Sequence, residues 1–218
     1  FAAAGLPEGC LNIVHGGRET GGALLNADIN GLLFTGSAAT GVFFHKHFAG
    51  RPEVILALEM GGNNPLIIWD PADVDAAADI AAQSAFLTTG QRCSCARRVI
   101  LPEGAWGDQV TEAIIARAEG LAIGAWDEDG VFMGPLVSQK AAVNAVEFQD
   151  MLLARGGRAL KSLERLDRGG GFVSAGVIDV TGATDIPDEE LFGPVMQIIR
   201  VPDFDQAIAR ANATRYGF

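Results

Sequence analysis

Short apolar runs alternate with helix-type segments along the chain, and this alternation limits the possible fold more than any other feature. The segments between the runs repeat apolar residues at helical spacing, and glycine or proline often separates the two kinds of pattern. Strands are predicted at residues 10–14, 31–35, 54–58, 66–69, 97–101, 172–180 and 192–200. Strands that alternate with helices predict an α/β fold with a largely parallel sheet.

The composition argues against several classes of function. Hydrophobic residues make up 49% of the chain, enough for a sizeable core. No apolar run reaches the roughly 18–20 residues of a membrane span, so we expect no membrane partner. A net charge of −11 argues against a nucleic-acid partner, because neutralising phosphates needs a basic surface. Three cysteines are too few for a disulfide framework and favour a reducing compartment, the cytoplasm.

Two reactive side chains each lie in a glycine-bearing turn. Cys93 follows Gly90 in a loop at the end of a long alanine-rich helix, and Glu59 ends a predicted strand just before a glycine pair. A thiol that attacks and a carboxylate that activates water suit covalent catalysis. Cys95 is a rival nucleophile, although we expect it to pack in the interior. A metal or redox site at the two cysteines would need further Cys or His ligands, which the loop lacks.

A glycine turn joins the strand predicted at 31–35 to a helix predicted at 38–48. Gly36 and Ser37 form this turn, and backbone N–H groups at such a helix start can bind phosphate oxygens. An ordinary strand-to-helix connection has the same pattern, so the turn alone is weak evidence. His45 and His47 do not share a helix face, and we expect no metal site there.

Four motifs in this order resemble the aldehyde dehydrogenase superfamily. The second differs from the usual family pattern in having Met60 where leucine is common. The motifs are Phe34-Thr-Gly-Ser37 with Gly41, Glu59-Met-Gly-Gly62, Gly90-Gln-Arg-Cys93 and Glu190-Leu-Phe-Gly-Pro194. The resemblance implies that Cys93 is the nucleophile, that Glu59 is the base, and that an aldehyde is oxidised to an acid through a thioester.

The resemblance also implies the cofactor and the domains. Gly36, Ser37 and Gly41 would contact the pyrophosphate of NAD, and Glu190 and Phe192 would position the nicotinamide ribose and ring. Residues 1–60 would be the trailing part of a Rossmann-like dinucleotide-binding domain. Residues 61–218 would be a catalytic domain on its own parallel sheet, truncated at its C-terminus. The family implies a homo-oligomer when full length, and NADP in place of NAD stays open.

The substrate is suggested by a narrower resemblance within the superfamily. Asn63-Asn64 and the stretch 90–98 resemble enzymes of arginine catabolism that oxidise a polyanionic semialdehyde. Arg92 or Arg97 could then bind substrate carboxylates as a bidentate donor. Pairing of these arginines with local acids is an equal alternative.

Three other functions compete with this interpretation. The first is a dehydrogenase for a different acidic semialdehyde. The second is an inert segment that serves only folding and subunit association, since we expect the chain to be part of a longer protein whose adenosine-binding residues precede position 1. The third, a cysteine hydrolase, would need a histidine base, and the three histidines are poorly placed for that role.

Overall fold

The computed structural model describes residues 1–217, and its strands form two separate sheets. The chain divides into two compact units, Phe1–Met60 and Gly61–Phe218. The assignment of the first unit to dinucleotide binding and of the second to catalysis stays a prediction. Within residues 1–217, every helix is too short or too polar to cross a bilayer.

The first unit consists of two helices and a pair of parallel strands. Its elements are α1 (Arg18–Leu25), β1 (Gly31–Gly36), α2 (Ala38–His47) and β2 (Ile55–Met60), after a short 3-10 turn at Ala2–Ala4. The strands pair from Gly31 opposite Ile55 to Gly36 opposite Met60. A small core of four buried side chains lies between helices and strands: Leu25, Phe44, Phe48 and Val54.

The prediction of a strand at residues 10–14 is wrong. All five residues are exposed, and they pair with no strand in the part of the chain that the structure describes. An apolar run becomes a strand only where a neighbour satisfies its backbone N–H and C=O groups.

The second unit is an α/β layer structure around one five-stranded sheet. Its helices are α3 (Val74–Phe86), α4 (Ala105–Glu119), α5 (Gln139–Ala154) and α6 (Phe204–Asn212). Its strands are β3 (Pro65–Ile67), β4 (Arg98–Pro102), β5 (Arg158–Lys161), β6 (Gly176–Asp179) and β7 (Val195–Val201). The order is β3-β4-β7-β6-β5, and only the β5–β6 pair is antiparallel. The predicted α/β class with a largely parallel sheet is confirmed, whereas β5 was not predicted.

The second unit has a hydrophobic core on each face of this sheet. Side chains of β4 alternate between them, because successive residues of a strand point to opposite faces. Val99 and Leu101 join the core formed with α3 and α4, whereas Ile100 joins the core formed with α5 and α6. β4, an interior strand of the sheet, is therefore buried on both faces, as is typical of a parallel sheet.

Candidate active site

Three loops of the second unit converge because each precedes one of three adjacent parallel strands. Residues 61–64 lead into β3, residues 91–97 lead into β4, and residues 190–194 lead into β7. The strands lie side by side in the order β3-β4-β7. Parallel neighbours place their amino ends at the same edge of the sheet. Segments far apart in sequence therefore meet at one edge.

The loop that carries Cys93 begins with an unusual turn after α3. A 3-10 turn at Leu87–Gly90 follows the helix, and Thr88, Thr89 and Gly90 have φ angles of 55°, 59° and 66°. This left-handed region is unfavourable for β-branched residues, so the surroundings must hold the turn in place. The Thr89 hydroxyl does so by donating to the Gly134 carbonyl at 2.8 Å.

The two cysteines of the loop differ in accessibility. Cys93 is half-buried, whereas Cys95 is only 3% exposed and its Sγ lies 3.9 Å from the Leu87 carbonyl oxygen. The Asn64 amide nitrogen donates to the carbonyls of Cys93, at 2.5 Å, and of Cys95, at 3.1 Å. Asn64 thus holds the loop through its backbone, and Cys93 is the more accessible of the two residues. The interior position expected for Cys95 is confirmed.

Arg97 is buried, and both of its terminal nitrogens bind the protein. It is only 2% exposed, and its two terminal nitrogens donate to the Gly90 carbonyl at 2.6 Å and to the Arg92 carbonyl at 2.8 Å. The structure therefore gives Arg97 a place inside the loop, out of reach of a solute. Arg92 is exposed, so of the two arginines only Arg92 is free to meet a substrate.

Glu190 lies against the glycine pair of the second motif. The Gly62 N–H faces its carboxylate, and a Cβ on Gly61 would overlap that carboxylate. On the other side, Glu190 Oε1 is 3.5 Å from a terminal nitrogen of Arg97. Burial raises the pKa of Glu190 above its ordinary value, and the Gly62 N–H and Arg97 only partly oppose this rise.

The remaining part of the third motif contacts the Cys93 loop directly. The Arg97 guanidinium lies 5.3 Å from the centroid of the half-exposed Phe192 ring. A Cβ on Gly90 would overlap the Gly193 carbonyl oxygen, so the two backbones touch because residue 90 is glycine. The structure thus brings Cys93, Glu190 and Phe192 into one neighbourhood of the second unit.

A polar network beside this neighbourhood was missed in the sequence. Asp188 accepts hydrogen bonds from the Asn63 amide at 3.0 Å, from the Thr214 hydroxyl at 2.8 Å and from the Arg215 N–H at 2.7 Å. Arg98 donates to the Asn63 carbonyl at 2.8 Å. Asn63-Asn64, directly after Gly61-Gly62, could have indicated this network, since asparagine side chains in turns commonly form hydrogen bonds with nearby backbone.

The first unit carries its predicted site residues at the carboxyl ends of β1 and β2. Ser37 caps α2, with its Oγ accepting from the Thr40 N–H at 3.3 Å. Thr35 lies opposite Glu59 in the strand pair. Gly36 ends β1, and Gly41 lies so close to the end of β2 that a Cβ would overlap the sulfur of Met60. Ligands of parallel sheets commonly bind at such carboxyl ends.

A cavity of about 670 Å³ lies between α1 and α2 of the first unit. Leu24, Leu25, Leu32, Phe43 and Phe44 make its lining mainly apolar. Such a cavity suits a flat aromatic group better than a charged one. Within residues 1–217, no three His, Cys, Asp or Glu side chains lie close enough together to hold a metal ion.

Comparisons with known proteins agree with the motifs. The model of the aldehyde dehydrogenase family matches residues 1–218. The chain is 55% identical over 215 residues to N-succinylglutamate 5-semialdehyde dehydrogenase from Caulobacter sp. (strain K31), which covers 98% of this chain and 44% of that protein. It is 53% identical to the protein of the same name from Serratia proteamaculans (strain 568), with the same coverage. The chain spans less than half the length of these curated relatives.

A solved structure shows the same fold. The crystal structure of 1-pyrroline-5-carboxylate dehydrogenase from Thermus with bound NAD matches with a TM-score of 0.89 at 33% identity. The match covers 99% of this chain and 43% of that one.

Proposed function

Because the chain belongs to the aldehyde dehydrogenase family, we propose that the protein containing it oxidises a semialdehyde to a carboxylic acid through a thioester on Cys93. The observation that carries the proposal is the half-buried residue Cys93 in a loop held by Asn64 and Arg97. The proposed substrate is N-succinylglutamate 5-semialdehyde, the compound named in relatives that share more than half of their aligned residues with this chain.

The chain supplies the nucleophile and the base of this reaction. The Cys93 thiolate adds to the aldehyde carbon, and the backbone N–H of Cys93 is the donor we assign to the resulting oxyanion. Loss of hydride then leaves a thioester on the sulfur. Glu59 takes a proton from water, the hydroxide adds to the thioester carbonyl, and the acid leaves as the thiolate is restored.

The residues present fit a nicotinamide dinucleotide. Glu190 Oε1 is buried without a hydrogen-bond donor among the described residues, and a carboxylate oxygen of this kind suits the hydroxyls of a ribose. Gly36, Ser37 and Gly41, at the start of α2, would hold the pyrophosphate, and Phe192 would lie beside the nicotinamide. The cavity between α1 and α2 suits the adenine ring. NAD, or NADP in its place, supplies the hydride acceptor.

Substrate recognition is assigned to Arg92, which is exposed next to Cys93. A guanidinium binds carboxylates with two parallel hydrogen bonds, so an acidic semialdehyde is favoured over a neutral one. A different acidic semialdehyde is the alternative. Comparing kcat/KM for several semialdehydes, acidic and neutral, separates these cases.

The decisive test replaces each cysteine of the loop in the complete protein. Cys93→Ala is expected to lower kcat by about 10⁴-fold or more, the scale on which removal of a covalent nucleophile acts. Cys95→Ala is the matched control, because Cys95 is buried two residues away, and it should keep turnover within about tenfold. The assignment of Cys93 as the nucleophile would be overturned if Cys93→Ala kept its turnover, or if only Cys95→Ala lost it.

The assembly and location of the complete protein are further parts of the proposal. We propose a homo-oligomer in the cytoplasm, and light scattering on the purified complete protein measures the first part. A monomer at micromolar concentration would contradict it.

A further inference from the structure

We propose that Arg97 is a positioning residue that fixes the carboxylate of Glu190 for the cofactor ribose and uses the backbone of the Cys93 loop as its anchor. The inference rests on the proposed function, since it gives Arg97 a role through Glu190, the proposed contact to the cofactor. It adds a residue for which the four motifs predict no such role.

The anchor consists of two hydrogen bonds to carbonyl groups of the loop. One terminal nitrogen of Arg97 donates to Gly90 at 2.6 Å, and the other donates to Arg92 at 2.8 Å. These carbonyls flank Gln91 and stand just before Cys93. A planar guanidinium holds two such acceptors at once, which an ammonium group cannot do with the same rigidity.

The guanidinium reaches Glu190 with the nitrogen that also bonds to Arg92. The ion pair is 3.5 Å long between Arg97 Nη2 and Glu190 Oε1, and the side chains of the two partners are only 3% and 12% exposed. Little solvent screens the pair, so the Coulomb attraction is stronger than in an exposed ion pair. The Phe192 ring covers the cation at 5.3 Å and keeps it in this direction.

Glu190 is fixed from the opposite side by backbone. The Gly62 N–H faces the carboxylate, and Gly61 lies so close that an added Cβ would overlap Glu190 Oε2. Glu190 Oε1 and Arg97 Nε are both buried without a hydrogen-bond partner in the described chain. The carboxylate therefore has a defined place and a free acceptor, which is what binding of a sugar hydroxyl requires.

Because the pKa of Glu190 depends on the charge of Arg97, the proposal can be tested by varying the pH. Within the second unit, Arg97 is the cation that faces Glu190, and the Cys93 and Cys95 thiols face Arg97 from its own loop. Burial raises the pKa of Glu190, and the Gly62 N–H and Arg97 hold it down. Removal of Arg97 would raise the pKa of Glu190 further. As the pH falls, Glu190 would then become protonated at a higher pH than in wild type, and the ionised carboxylate that accepts the ribose hydroxyls would be lost there.

The matched control is Arg200, which has the same kind of contacts elsewhere in the second unit. It donates to the Pro102 carbonyl at 2.7 Å and the Gly104 carbonyl at 2.9 Å, and it pairs with Asp108 at 2.9 Å. Its side chain is 13% exposed. Arg200→Met should therefore cost stability as Arg97→Met does, without touching Glu190.

The experiment measures the dissociation constant of NAD by titration across pH in the complete protein. Because an opposite charge at this distance lowers a carboxyl pKa by about 1–3 units, the pH at which affinity falls should rise by about one unit or more in Arg97→Met. At pH values below the midpoints of both proteins, the affinity of Arg97→Met for NAD should be about tenfold weaker than that of wild type for each pH unit by which the midpoint has risen. Arg97→Lys should restore the pH profile while remaining less stable. Glu190→Gln should remove this pH dependence. The double variant Glu190→Gln/Arg97→Met should likewise show no such pH dependence of NAD binding.

Three outcomes would overturn the proposal. One is an Arg97→Met profile that coincides with that of Arg200→Met, which would make Arg97 a structural residue only. Another is a uniform loss of affinity at every pH, which Arg97→Lys does not rescue. The third is a failure of wild type to bind NAD or NADP, which would overturn the proposed function as well. A Cys93→Ala variant that keeps turnover overturns the proposed chemistry alone, because NAD binding does not depend on that thiol.

Discussion

At the scale of single residues, the turn before Cys93 combines an unfavourable backbone with strong anchors. Thr88 and Thr89 both have φ near 55–60°, yet only Thr89 is buried and bonded to Gly134. The Thr88 side chain is exposed and donates only to the Leu87 carbonyl next to it. The cost of the left-handed conformation is therefore compensated at Thr89 and hardly at all at Thr88.

Replacing Thr88 by asparagine should stabilise the protein. Asparagine tolerates the left-handed region better than a β-branched residue, so the free energy of unfolding should rise by about 0.5–1 kcal/mol. Thr89→Asn is the comparison, and it should destabilise because the bond to Gly134 and the buried fit are lost. Urea unfolding of both variants measures this. Equal effects of the two changes would contradict the different roles of the two threonines.

Gly90 should be the least replaceable residue of the same turn. Its φ of 66° costs an alanine about 1–2 kcal/mol, and the added Cβ would also overlap the Gly193 carbonyl. Gly130 has a φ of 74° with nothing within 4 Å of an added Cβ, which makes it the control. We expect Gly90→Ala to lower the free energy of unfolding by at least about 3 kcal/mol and Gly130→Ala by about 1–2 kcal/mol. Similar losses in the two variants would show that the overlap has no cost.

At the scale of elements, the loops before β3, β4 and β7 hold one another in place. The loop of residues 61–64 contributes Asn63 and Asn64, which bond to Asp188 and to the Cys93 loop respectively. Asp188 also binds the segment after α6 through Thr214 and Arg215. Because each loop bonds to at least one other, a change in one should affect the site as a whole.

Asp188 should make the stability of this network depend on pH. Burial raises its pKa, but hydrogen bonds from Asn63, the Arg215 backbone and Thr214, together with the charge of Arg98, outweigh burial and hold the pKa below its ordinary value. A carboxyl with a lowered folded pKa stabilises the fold above its unfolded pKa and loses this effect as pH falls through the folded pKa.

Asp188→Asn should therefore lower the free energy of unfolding near neutral pH by about 1–3 kcal/mol, since an amide places an N–H against donors. The difference from wild type should narrow below about pH 4. Asp185→Asn is the control, because Asp185 is exposed in the same loop and asparagine tolerates its φ of 54°. Denaturant unfolding at several pH values measures both. A difference that stays constant down to strongly acidic pH would contradict the ionised role of Asp188.

At the scale of the whole molecule, the two units differ in how much core they have. The first unit has a two-stranded sheet and four buried core residues. The second has a five-stranded sheet with a core on each face. Two-stranded sheets are only marginally stable by themselves, whereas larger sheets covered on both faces are the stable core of α/β proteins.

Hydrogen exchange of the 218-residue chain should reflect this difference. Amides of β1 and β2 should exchange at least about tenfold faster than those of β4 and β7, which lie in the interior of the large sheet. Mass spectrometry of peptides from both regions measures the rates. Equal protection of the two sheets would show that the small core is sufficient for the first unit.

The sequence alone determined the α/β class and the family, because strand and helix periodicities and four ordered motifs are local properties of the chain. It also indicated that Cys95 would be buried. The tertiary structure decided which distant residues meet: Arg97 with Glu190, Asn64 with the Cys93 carbonyls, and Gly90 with Gly193. It also decided that residues 10–14 form no strand and that Arg97 is buried. The pairing of distant residues and the burial of a charged side chain such as Arg97 depend on strand order and loop packing, which no local pattern records.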